Sequence, residues 1–193
     1  RFGGYADCVV VPAVQAYRFP DRLSDAEAAA VPVTYLTAAI ALYRMAAVTA
    51  GETVLVHNAG GALGIAATQL ARLRRATVIG TASVTKHDAL RSFGVDHAID
   101  YRHRSVEAEV KRFTKGRGVD VILDPIGGKS FGESYRMLAP MGRLVMLGIS
   151  SMSGERRHAL RVLRSWWAMK SFSPLSLINR NRGVFGLNVG HLW

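Results

Sequence analysis

Apolar and polar positions alternate in blocks along most of this chain. "TVLVH" (53–57) is β-branched and apolar throughout, the pattern of a strand buried on both faces. "LGIAATQLARLRR" (63–75) then takes up helical spacing. The alternation continues with a strand "TVIGT" (77–81), a helix "TKHDALRSFG" (85–94) closed by a glycine, and a short strand "HAID" (97–100). "SVEAEVKRFTKG" (105–116) is amphipathic, with acids early and lysines late, an order that suits the helix dipole. A strand "VDVILD" (119–124), a helix over 130–138 and a strand "GRLVML" (142–147) follow. Residues 156–179 read as irregular helix, and "GVFGLNV" (183–189) as a last strand. This order predicts an α/β fold: a Rossmann-type, doubly wound parallel sheet of about six strands with helices on both faces.

The first fifty residues read differently. "GYADCVVVPAVQAY" (4–17) is expected to form short strands broken at a proline. Ser24 stands three places before Glu27, the spacing of a capping box, and a helical pattern follows to Met45 with a break expected near Pro32. Ala28 to Tyr43 is apolar and carries no charge. It falls short of the roughly 18 to 20 residues of a membrane span, so a buried helix is expected.

Composition narrows the classes. Of 193 residues, 49% are hydrophobic and 20% charged, a globular balance. The single cysteine, Cys8, excludes a disulfide framework and a multi-cysteine zinc site within these residues, and fits a reducing, cytoplasmic setting. The net charge of +11 comes from scattered arginines without interleaved aromatics, which argues against nucleic acid. The chain starts without Met and ends just past a strand-like segment, as a piece of a longer protein would.

Chemistry concentrates at the end of the first predicted strand. Ala59-Gly60-Gly61-Ala62-Leu63-Gly64 matches the dinucleotide fingerprint G-x-G-x-x-G with alanine in the first place. Gly61 would let the backbone approach a pyrophosphate, and Gly64 would let helix and strand pack closely. Ala59 is tolerable if its φ stays negative. The carboxylate that would hold the ribose of NAD, about 20 residues on, is missing. Gly80-Thr81-Ala82-Ser83 stands there, with Lys86 just beyond. A hydroxyl and an ammonium suit a 2′-phosphate, so NADPH is expected. His57, Asp124 and Cys8 have the chemistry of a base, an acid and a nucleophile, but structural roles suit all three better.

Together "PVTYLTAA" (32–39), "VHNAGGALG" (56–64), "GTASVTKHDAL" (80–90), "IDYR" (99–102), "GVDVILDPIGG" (118–128) and "LAPMGRLVMLG" (138–148) resemble a medium-chain dehydrogenase/reductase of the quinone oxidoreductase type. "RSWW" (164–167) and "NRGVFGLNVGHL" (181–192) resemble the vesicle amine transport protein group of that family. The resemblance implies a remnant of a GroES-like β domain in residues 1–25 and an NADPH-binding domain over 26–193. It implies no catalytic zinc, and hydride transfer to a small-molecule electron acceptor, a quinone or an α,β-unsaturated carbonyl. By the same resemblance Thr37 faces the nicotinamide carboxamide, and the N–H groups of Gly61, Ala62 and Leu63 meet the pyrophosphate. Ser83 and Lys86 hold the 2′-phosphate, and Tyr101 lies beside the adenosine. Gly127, Gly148 and Ile149 sit at strand ends over the coenzyme, and Phe185 and Gly186 near its ring. Strand 183–189 would extend the sheet across a homodimer.

Asn58 and Ala62 depart from the family's usual small residue and glycine. Trp166 and Trp167 are expected in a core or interface, with membrane-surface association a lesser reading. No catalytic side chain emerges, and solvent is left to supply the proton. Two alternatives stand beside this reading: a non-enzymatic NADPH-binding interaction protein, and an enoyl reductase module of a polyketide synthase, from whose usual Asn-Ser-type loop "DPIGG" differs.

Overall fold

The computed structural model describes residues 6–148 and 172–192. Ile149, Trp166, Trp167 and most of the helix expected over 156–179 lie outside those residues.

Six parallel strands form one sheet in the order β3-β2-β1-β4-β5-β6. They are β1 (Thr53–Val56), β2 (Thr77–Ala82), β3 (His97–Asp100), β4 (Val119–Asp124), β5 (Leu138–Met146) and β6 (Gly183–Gly186). The helices are α1 (Asp25–Ala39), α2 (Ala62–Leu73), α3 (His87–Ser92), α4 (Val106–Phe113), α5 (Lys129–Met137) and α6 (Pro174–Arg180). Successive strand residues point to opposite faces, and each face has its own core. Val54, Val56, Val78, Val121, Leu123 and Val145 join Ala66, Ala67 and Ala71 of α2 and Leu90 of α3 on one side. Leu55, Ile79, Ile99, Ile122 and Leu144 join Val110 of α4 and Tyr135 of α5 on the other. The doubly wound arrangement thus follows from strands that are apolar on both faces.

Three expectations change at the N-terminal end. Described residues from 6 to 23 contain no strand, only a 3-10 turn at Ala13–Gln15, and lie almost wholly exposed. Without a neighbouring strand to accept their backbone bonds, β-branched residues alone do not make a sheet. Pro32 does not break the helix: α1 runs through it and passes into a π-helical turn at Ile40–Met45. The capping box is formed, with the Ser24 hydroxyl accepting from the Glu27 N–H and the Glu27 carboxylate accepting from the Ser24 N–H. Nor is the helix buried as a whole. Ala38, Ala41 and Leu42 are fully buried, whereas Val31, Val33 and Leu36 are exposed, because only the C-terminal part rests on the sheet and α2. The segment Asp25–Met45, at 21 residues, is long and apolar enough to cross a membrane by length and composition.

At the upper end of the sheet a chain of buried polar groups ties three elements together. Asp124, wholly buried at the tip of β4, accepts four hydrogen bonds. The N–H groups of Ile126 (2.8 Å) and Gly127 (3.4 Å) reach one oxygen, and the hydroxyls of Ser130 and Ser134 (both 2.7 Å) reach the other. The Ser134 hydroxyl, its proton on Asp124, accepts from His57 Nε2 at 3.0 Å. His57 Nδ1 lies 3.4 Å from the Thr81 hydroxyl, which itself accepts the Asn58 N–H. This pattern suits a neutral imidazole, and burial pushes the His57 pKa down.

Two measurements test this packing. A Cβ on Gly64 would lie 2.4 Å from the Asn58 carbonyl oxygen and 2.5 Å from Ala59 Cα, both backbone atoms. Gly64→Ala should therefore cost about 1–3 kcal/mol in denaturant unfolding, the range for overpacking. With the His57 pKa depressed, the unfolded chain takes up that proton first as pH falls. Its contribution is complete above the unfolded value and is lost on acidification. Between about pH 7.5 and 5.5, the fall in melting temperature should be shallower in His57→Gln than in wild type, and an equal fall would remove His57 as its source.

Candidate functional site

The turn from β1 into α2 is built by Asn58, not by a glycine. Asn58 takes φ +53°, the left-handed region, which asparagine tolerates better than most residues. Ala59 follows without a positive φ, and its methyl group fills the space where Gly80 of β2 has no side chain. A Cβ on Gly80 would stand 2.8 Å from that methyl. The Ala59 N–H donates to the Thr81 carbonyl at 3.0 Å, which seats the loop on β2.

Gly61 is the N-cap of α2 and offers no side chain there. Its own N–H donates to the Asn58 carbonyl at 3.0 Å, so the turn itself uses the group that was expected to meet a pyrophosphate. The helix bonds begin with Ile65 N–H to the Gly61 carbonyl. The N–H groups of Ala62, Leu63 and Gly64 consequently have no acceptor within the helix and project from its positive end. A small pocket of about 70 Å³ opens there, lined by Asn58, Gly61, Ala62, Leu63, Gly64 and Pro125 among others. A Cβ on Gly61 would stand 3.0 Å from the Asn58 amide nitrogen and 3.4 Å from its carbonyl oxygen, so a side chain there would press on Asn58.

Lys86 ends a 3-10 turn (Val84–Lys86) after β2 and reaches back over the loop. Its Nζ donates to the Gly60 carbonyl at 3.2 Å. Ser83, at the start of that turn, shares a hydrogen bond of 3.2 Å with Thr85. The strand tip carries no acid, and the next one, Asp88, is exposed and paired with Arg91 at 2.7 Å. Tyr101 follows β3, half exposed, with the Arg102 guanidinium 6.0 Å from its ring centre. Beside it, hydrogen bonding to His103 holds the Asp100 carboxyl below the usual range.

The larger cleft, about 760 Å³, lies where β5 and β6 end beside α1. Val33, Thr34, Thr37, Leu63, Phe131, Met146, Leu147, Gly148, Gly186, Leu187, Asn188 and Val189 line it. Thr37, Leu63, Gly148 and Gly186 therefore share one wall system. The Thr37 hydroxyl donates to the Val33 carbonyl at 2.5 Å. Phe185 packs against the core instead, next to Gly186. Gly127 is buried, lines neither cleft, and points its N–H at Asp124. Sequence reasoning passed over Val33, Thr34 and Phe131. Val33 and Thr34 share a helix face with Thr37 by i, i+3 and i, i+4 spacing, so that signal was present.

The two clefts meet at Leu63, which lines both. One is a donor-rich helix end with a cation beside it, and the other an apolar slot with a few polar atoms. A dinucleotide with a flat reactive ring has that division of parts, and the bare cradle at Gly61 fits its pyrophosphate. Among the described residues no three His, Cys, Asp or Glu side chains converge on a point.

The sequence profile of the zinc-binding dehydrogenases matches residues 62–191. The human synaptic vesicle membrane protein VAT-1 homolog is 39% identical over 194 aligned positions, which cover 100% of this chain and 49% of that protein. The chain thus spans about half the length of the curated relatives it matches. Among solved structures, an NAD-dependent alcohol dehydrogenase superposes with a TM-score of 0.79 at 32% identity, covering 96% of this chain and 50% of the other. The CurK enoyl reductase does so with a TM-score of 0.74 at 29% identity, covering 91% and 48%. With its sheet order, its glycine loop and these likenesses together, the chain belongs to the zinc-binding dehydrogenase family, the medium-chain dehydrogenase/reductase oxidoreductases.

Proposed function

We propose that this chain is the coenzyme-binding part of an NADPH-dependent oxidoreductase that reduces a quinone or an α,β-unsaturated carbonyl. The observation that carries the reading is Lys86. Its ammonium stands over the glycine loop, and no carboxylate occupies the tip of β2 to bind a bare ribose or repel a phosphate. The structural likeness to an enoyl reductase supports an activated alkene as acceptor. The alcohol dehydrogenase neighbour is described as NAD-dependent, and the missing acid argues for the phosphorylated coenzyme here.

The N–H groups of Ala62, Leu63 and Gly64 would hold the pyrophosphate, Ser83 and Lys86 the 2′-phosphate, and Thr37 the carboxamide. Bound there, the coenzyme supplies a hydride from C4 of its ring. The apolar walls from Val33, Phe131, Met146, Leu147 and Leu187 exclude water and favour a neutral, flat acceptor. Among the described residues no acid or base lines either cleft except His57, which is buried and engaged on both nitrogens. The proton that completes reduction therefore comes from solvent, and this chain works by positioning.

We assign residues 1–25 to the end of a catalytic β domain and place the full-length protein in the cytoplasm. The lone Cys8, free and exposed, suits a reducing compartment. Among the described residues β6 pairs with β5 alone, and we propose its outer edge as the place for a second copy. Unpaired strand edges attract such pairing, and a symmetric dimer would satisfy it. The interaction-protein alternative shares the coenzyme site and differs only in turnover.

Full-length protein titrated with NADPH and NADH, followed by nicotinamide fluorescence, should prefer NADPH. Lys86→Glu should weaken NADPH by about tenfold or more, the effect of about 1.4 kcal/mol, and NADH far less. Equal affinities in wild type would remove the reading. Oxidation of NADPH with a quinone and enone panel separates enzyme from interaction protein. In light scattering the full-length protein should run as a dimer, and a monodisperse monomer would end the edge-strand assignment.

A further inference from the structure

Lys86 lies against Gly60. A Cβ built on Gly60 would fall 2.6 Å from Lys86 Cδ, 3.7 Å from its Cβ and 3.6 Å from Nζ. The lysine stem therefore crosses the open face of the glycine, and the ammonium closes on the same residue's carbonyl at 3.2 Å. Gly60 is not among the residues with positive φ, so its backbone has no need of glycine. The three nearest heavy atoms to that position all belong to Lys86. What the missing side chain provides is room for a neighbour from the next strand's end.

We propose that Gly60 is the positioning residue for Lys86 and sets coenzyme choice through it: its bare face is a berth that fixes the lysine stem on the loop. The inference rests on the 2′-phosphate reading of Lys86 given above. An ammonium has three donors. One is held by the Gly60 carbonyl, and two remain for phosphate oxygens. A lysine on a flexible stem otherwise loses rotamer freedom when it binds, and that loss weakens binding. Berthed on Gly60 it has lost much of that freedom beforehand, and the gain falls only on the coenzyme that carries the 2′-phosphate.

The test compares wild type, Gly60→Ala, Lys86→Ala and the double variant, all in the full-length protein, by fluorescence titration with NADPH and NADH. Gly60→Ala needs no positive φ, and the nearest atoms it meets belong to the movable Lys86 side chain, so it keeps the fold. It should weaken NADPH by about three- to tenfold and leave NADH as in wild type. In the double variant the loss should be no larger than in Lys86→Ala alone, because Gly60 acts through the lysine. An equal loss for both coenzymes, or a loss that adds in full to that of Lys86→Ala, overturns the proposal. So does an unchanged preference in Gly60→Ala while Lys86→Ala loses it, an outcome that spares the 2′-phosphate reading. If Lys86→Ala also keeps the preference, that reading fails and the berth with it.

Discussion

The passage from β1 into α2 governs everything above it. The chain must leave a strand, turn sharply and start a helix whose first turn stays close to the strand it has left. Steric limits make that possible in one way here. Asn58 takes the left-handed backbone, Ala59 drops its methyl onto Gly80, and Gly64 lets α2 pass within contact of the Asn58 and Ala59 backbone. Close passage aims the free N–H groups of the first helical turn outward at the sheet's upper edge, where an anion meets several donors and a favourable dipole.

The buried polar chain beneath this turn is its support. Asp124 has no cation partner among the described residues, and its charge is met by four donors supplied by the next loop and helix. His57 then connects that assembly to Thr81, whose hydroxyl and carbonyl hold Asn58 and Ala59. The glycine loop is thus fixed from below by hydrogen bonds that cross from β4 and α5 to β2. Because an unsatisfied buried donor or acceptor is costly, such a chain stands or falls as a unit.

Much of this was legible in the residues. Strands apolar on both faces announced the parallel sheet, and β3 and β4 fall where the pattern placed them. The loop and Lys86 were readable because each carries a local signal, glycine spacing and an absent acid, whereas Thr37 came only with the family resemblance. What escaped depends on contacts distant in sequence. The Gly61 N–H was assigned to a ligand because a motif does not say which donors the turn consumes. Gly127 looked like a ligand contact until Asp124 claimed its N–H. Gly60 carried no meaning without Lys86 lying across it. The N-terminal valines suggested strands, but strand formation requires a partner, and none stands beside them among the described residues.

The Thr37 hydroxyl has already given its proton to the backbone one turn earlier in α1. What it presents to the cleft is lone-pair density. A guest seated beside it must bring its own N–H or O–H, so a primary amide is welcome nitrogen-first, while a carboxylate of the same outline would set oxygen against oxygen. One committed proton in a helix would thus favour an amide over the acid it hydrolyses to.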